Sequence, residues 1–98
     1  MSYSNAVSAD QRLVILSALE EDPGYSHNEH VLRGMLAATG HQVSHDGLRS
    51  QLAWLDEQGL ITLTRAGQTQ IARITSRGED AALGHTRIPG VARPRLEP

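Results

Sequence analysis

Ninety-eight residues with a net charge of −2 and no cysteine make one small domain, without disulfides or thiolate-bound metal. With one Trp, two Tyr and no Phe, its core has to be built from Leu, Ile, Val and Ala. No stretch reaches the roughly 18 apolar residues of a membrane span. The N-terminus MSYSNAVSADQR lacks the basic and apolar regions of a signal peptide, so a cytoplasmic protein without membrane contact is expected.

Residues 1–7 read as a flexible arm. Ser8 followed by Gln11 is a capping-box pattern, in which side chains satisfy the free N–H groups of a helix start, and it opens a first helix to about Glu21. Leu13, Val14, Ile15, Leu16, Ala18 and Leu19 cover most of that helix's circumference, which requires burial on more than one side. One side faces the core; another, with Leu13 and Val14, is expected to face a second copy in a homodimer. Asp22-Pro23-Gly24 is a turn. Ser26 followed by Glu29 is a second capping box, opening a helix through about Thr39 with Val31, Leu32, Met35 and Leu36 as its apolar stripe and Gly40 as its stop. Ser44 is the expected N-cap of a third helix, which carries Asp46 in its first turn, reaches Gln58 and ends at Gly59.

The apolar period then changes from helical to alternating. LITLT and QTQIARIT flank Arg65-Ala66-Gly67 and predict a hairpin. A two-residue Ala-Gly loop sets Ile61 opposite Ala72. A three-residue loop from Arg65 to Gly67 sets Ile61 opposite Ile71 and Leu63 opposite Thr69, pairs the apolar residues better, and is the expected register. Thr75 caps a short last helix, Ser76 to about Leu83, ended by Gly84. Residues 85–98 contain three prolines and read as an extended tail, ordered only where it docks. The domain therefore spans residues 8–84 and is mainly α with a small β-hairpin: three helices, a two-stranded hairpin and a short C-terminal helix.

Leu55-Asp56-Glu57-Gln58-Gly59-Leu60-Ile61 resembles the L-E-x-x-G-L-I seam where a recognition helix meets its wing. Ile74-Thr75-Ser76-Arg77-Gly78 resembles the L-T-x-x-G that opens the helix after the wing. Both occur in order and at wing spacing, so residues 8–84 resemble a winged helix-turn-helix domain of the broad ArsR/MarR type. More narrowly, Gly40-His41-Gln42-Val43-Ser44, Gln51-Leu52-Ala53-Trp54-Leu55 and Ile88-Pro89-Gly90-Val91-Ala92-Arg93-Pro94 resemble small winged-helix proteins of Mu-like phages and prophages. The phage resemblance implies a phage- or prophage-encoded regulator or accessory factor without assigning an activity; the leading expectation is a transcriptional regulator that binds double-stranded DNA as a dimer.

A helix in the major groove presents its N-terminal residues to base edges, which nominates Ser44, His45, Asp46, Arg49 and Ser50. Arg49 would fork to a guanine, and Arg65 at the hairpin tip would grip a phosphate. Charge is uneven. Residues 1–30 sum to −4 from Asp10, Glu20, Glu21, Asp22 and Glu29 against Arg12, and residues 60–98 sum to +3 from six arginines against Glu79, Asp80 and Glu97. Every cation is Arg, which suits phosphate contacts and equally fits the codon bias of a GC-rich genome. Against DNA stand Asp46, Asp56 and Glu57 on the same helix, and Trp54 on its outward arc. Trp54 is covered by its own chain, meets a protein partner, or meets DNA. The second alternative defines the rival function, a module that binds a phage or host protein through Trp54 and the acidic face. The five histidines lack matching third and fourth ligands, so no metal is expected, and no cofactor motif or nucleophile–base pair suggests an enzyme.

Overall fold

The structure, a computed structural model, describes residues 2–95; the first residue of the expected arm and the last three of the expected tail lie outside the described residues. The elements follow in the order α1 (Tyr3–Glu21), β1 (Ser26–Asn28), α2 (Glu29–Ala38), α3 (His45–Glu57), β2 (Ile61–Ala66), β3 (Thr69–Ile74) and α4 (Ser76–Leu83). The strands form one antiparallel sheet in the order β1-β3-β2. This is a small α/β domain, and its third strand corrects the two-stranded layout expected from the sequence.

Three local choices differ from the sequence expectation, each for an identifiable reason. The expected arm is helical: Ser2 caps α1 by accepting the Asn5 N–H at 3.1 Å, so Ser8 lies inside the helix. Asn28, not Ser26, caps α2, its Oδ1 accepting the Val31 N–H at 2.9 Å. That frees Ser26–Asn28 to pair with β3, with Ser26 opposite Arg73 and Asn28 opposite Ile71. Just before β1, Tyr25 turns the chain and its carbonyl accepts the Ile74 N–H at 3.0 Å.

The hairpin closes through two residues, Gly67 and Gln68, rather than through Arg65–Gly67. Gly67 at φ +62 supplies the left-handed first position that such a tight turn needs. The register sets Ile61 opposite Ile74, Leu63 opposite Ala72 and Arg65 opposite Gln70. It thereby turns Ile74 and Ala72, and not Ile71, toward the helices with Ile61. Matching the largest apolar residues across the strands selected the wrong pairing, because the small Ala72 is what the core accepts beside β1.

The core is a leucine cluster. Ile15, Leu16 and Leu19 of α1, Leu32 and Leu36 of α2, Leu48, Leu52 and Leu55 of α3, and Leu60 with Ile61 are all fully buried. The other expected helix boundaries are present: Ser44 accepts the Gly47 N–H at 2.9 Å to cap α3, and Thr75 accepts the Gly78 N–H at 3.1 Å to cap α4.

The tail is not free through its described residues. Ile88 and Val91 are buried in the same core, and the Ala92 N–H donates to the Ala9 carbonyl at 3.1 Å, laying the segment against α1. Its prolines prevent regular structure but not docking.

Candidate nucleic-acid interface

Glu29 is the first residue of α2, and its carboxylate is only 1% exposed, turned in between α3 and the hairpin. An unpaired carboxylate there would be costly. Arg49 satisfies it with a forked contact: Nε donates to Oε1 at 2.9 Å and Nη2 to Oε2 at 3.0 Å. His45 Nε2 also meets Oε1, and the Gln70 backbone N–H donates to Oε2. These contacts hold the Glu29 carboxyl far below the usual carboxylate range, Arg49 contributing most and burial opposing. Reciprocally, Glu29 raises the Arg49 pKa. Nη2 of Arg49 donates further to the Gln68 carbonyl at 2.8 Å. One carboxylate thus ties α2, α3 and the hairpin turn together.

The nominated residues divide accordingly. Arg49 is committed inward through Nε and Nη2, and only its Nη1 edge is without a partner among the described residues. The Ser44 hydroxyl is the cap of α3. His45 is held by Glu29 and lies beside His30, with ring centroids 5.9 Å apart. Asp46 and Ser50 are exposed on the crest of α3, continued by Ala53 and Glu57. Arg65 is exposed near the hairpin tip and has no hydrogen-bond partner among the described residues.

Trp54 is half-buried, with its own chain over part of the ring. The Arg12 guanidinium stacks over its ring at 3.9 Å from the centroid. Gly90 of the tail lies so close that an added Cβ would come within 2.7 Å of Trp54 Cζ2. Arg12 is fixed in turn: Nε donates to Gln51 Oε1 at 2.7 Å and Nη1 to the Gly90 carbonyl at 2.9 Å, while Gln51 Nε2 donates to Gln11 Oε1 at 2.9 Å. Burial lowers the Arg12 pKa. Leu13 and Val14, the nominated contact residues of α1, are half-buried and line an apolar groove of about 620 Å³ with Ala18 and Met35, edged by Glu21 and Asp22.

The sequence reading did not single out Glu29, Arg12 or Gln51. Two of them carried a signal: Glu29 falls three residues before Leu32 on the buried stripe of α2, and Gln51 falls among Leu48, Leu52 and Leu55. A polar residue on an apolar stripe needs a partner. Three of the five histidines sit beside single carboxylates, His27 by Asp22, His41 by Asp10 and His85 by Asp80, and no group of three or more metal-binding side chains occurs among the described residues.

Fold and site define a small α/β domain of four helices and a three-stranded antiparallel sheet, with no helix among the described residues long and apolar enough to cross a membrane. No family model matches the chain. It is 42% identical over 92 residues to the uncharacterized protein gp26 of Escherichia phage Mu, covering 94% of this chain and 95% of that protein. It is likewise 42% identical over 78 residues to an uncharacterized protein of Haemophilus influenzae, covering 79% of this chain and 76% of the relative. The chain belongs to the family of phage Mu gp26.

Proposed function

We propose that this protein is a winged-helix DNA-binding protein, a phage- or prophage-encoded regulator, in which α2 and α3 are the helix-turn-helix and β2–β3 is the wing. The observation that carries this reading is the element order with the sheet order β1-β3-β2, which leaves the crest of α3 open beside a projecting hairpin. The phage Mu relative supports the phage origin. Ser50 reads a base edge, and Arg65 grips the backbone. The main task of Arg49 is to lock α3 to the wing through Glu29 and the Gln68 carbonyl. A homodimer through Leu13 and Val14 belongs to the same proposal, supported by their position in an open apolar groove.

The rival, protein binding through Trp54, loses its aromatic anchor to the tail and Arg12. Binding to random-sequence duplex DNA at increasing salt tests the proposal, because released counterions impose a negative log–log slope. Absence of binding at low salt overturns it.

A further inference from the structure

We propose that the cleft between the docked tail and the N-terminal half of α1 is a phosphate-binding site, with Arg12, Arg87 and Arg93 as its cationic groups. The cleft measures about 900 Å³, and its lining includes these three arginines, Asn5 and Ser8, but no carboxylate among the described residues. In a chain of net charge −2, three guanidiniums lining one cleft, with no carboxylate among the described lining residues, make its local potential positive, which favours an anion there. Neither Arg87 nor Arg93 has a hydrogen-bond or ion-pair partner among the described residues, and both are exposed.

Arg12 is different, being set in advance. It stacks on Trp54 and spends Nε on Gln51 and Nη1 on the Gly90 carbonyl, which leaves Nη2 without a partner among the described residues. Burial of Ile88 and Val91 lays the backbone that carries Arg87 and Arg93 against α1. The forked geometry of guanidinium matches phosphate oxygens. The cleft is larger than one phosphate needs and has room for a phosphate carried by a nucleotide or a nucleic-acid backbone.

The position relative to α3 suits the second source, a step that rests on the DNA reading. Arg49 reaches the hairpin turn and Trp54 touches the tail, and these side chains leave α3 about 140° apart. The cleft and the hairpin therefore flank the α3 crest. A duplex on that crest would meet Arg65 with one strand and the cleft with the other.

Trp54 lines the cleft and is the sole tryptophan, so its emission reports occupancy directly. The full chain is titrated with inorganic pyrophosphate, adenosine monophosphate and a short random-sequence duplex, with sodium chloride at matched ionic strength as control. The expected result is a saturable change in Trp54 emission with a phosphate ligand and none with chloride. Arg93→Ala and Arg87→Ala, at exposed positions, should each weaken binding about tenfold while the unfolding midpoint is unchanged. A response to pyrophosphate or the nucleotide without duplex binding keeps the cleft and removes the DNA reading. A response to the duplex alone, lost in Arg93→Ala, makes the ligand a backbone phosphate. Duplex binding that needs Arg65 but ignores Arg87, Arg93 and Trp54 keeps the DNA reading and overturns the cleft. Silence of Trp54 toward all three ligands overturns the cleft as well.

Discussion

Replacing Gly90 by alanine tests the docked tail at its tightest point. Gly90 has φ +94, and a left-handed conformation costs a side-chain-bearing residue about 1–2 kcal/mol. The added Cβ would lie 2.7 Å and 2.9 Å from two carbons of the Trp54 ring and 3.2 Å from Arg12 Nη1, so the ring or the tail must move. What holds the tail is modest. Burial of Ile88 and Val91 contributes about 1.5–3 kcal/mol each, and the two hydrogen bonds at Gly90 and Ala92 about 1 kcal/mol each. Ordering the five or so residues involved costs about 1–2 kcal/mol apiece. The terms nearly cancel, so a perturbation of about 2 kcal/mol is enough to release the segment. Gly90→Ala should therefore red-shift Trp54 emission and open it to acrylamide quenching. The unfolding midpoint should drop by the small docking free energy and no further. Truncation after Arg87 should give the same midpoint, and Gly90→Ala should add nothing to it, because each change removes the same contact. Emission and quenching unchanged from wild type would falsify the docked tail.

Glu29→Gln keeps the shape but removes the charge on which Arg49 and the Gln70 N–H converge; it should cost about 2–4 kcal/mol in denaturant unfolding. Its pH dependence has a definite sign. The folded pKa is depressed below the ordinary glutamate value of 4.5, so the contribution is complete above that value and is lost progressively as the pH falls below it. Wild type should lose stability in that acid range more steeply than Glu29→Gln, and parallel curves would refute the assignment. Leu13→Glu should leave a folded monomer in sedimentation where wild type dimerises. Salt should strengthen the wild-type dimer, because Glu21 and Asp22 edge the groove; a wild-type monomer at high concentration sinks the idea. Arg65→Ala should flatten the salt slope of duplex binding by about one unit. Arg49→Ala should instead lower the unfolding midpoint and weaken all duplex sequences together. A loss confined to one sequence would restore Arg49 as a base reader.

What the sequence disclosed followed the reach of its signals. Ser44 and Thr75 cap with their own side chains, and a cap is decided within one helical turn, so both were legible. β1 was not, because three residues are too few to display alternation and its pairing partner is more than forty residues away in β3. The hairpin turn was locatable, but its register depended on which face the helices covered, information held outside the hairpin. The tail followed the same rule. Its prolines announced irregular backbone, whereas Ile88 and Val91 reveal their docking only once α1 and Trp54 offer a surface. For Trp54 the sequence left three alternatives open, and the structure lays the tail at Gly90 over part of the ring. Arg49 was read as outward because wheel geometry assigns direction but not partners. The buried carboxylate opposite it claims the inner edge of the guanidinium.

If the protein binds DNA as proposed, the pairing of Glu29 with Arg49 changes where that affinity must come from. With Arg49 neutralised, the exposed crest of α3 carries Asp46 and Glu57 without a free counter-charge, and it repels phosphate. A duplex can be held there only by cations at the flanks, which are Arg65 on the hairpin and the arginines beside the docked tail. Such a division suits a helix that reads shape and a few hydrogen bonds while its flanks supply the attraction. It separates two groups of residues with opposite responses to salt. The proposed DNA contacts through Arg65 and the cleft should weaken as salt rises, whereas the proposed association through the acid-edged groove at Leu13 and Val14 should strengthen. A protein built this way should be most dimeric where it is least bound to DNA, and measuring both states across one salt series tests the two surfaces independently.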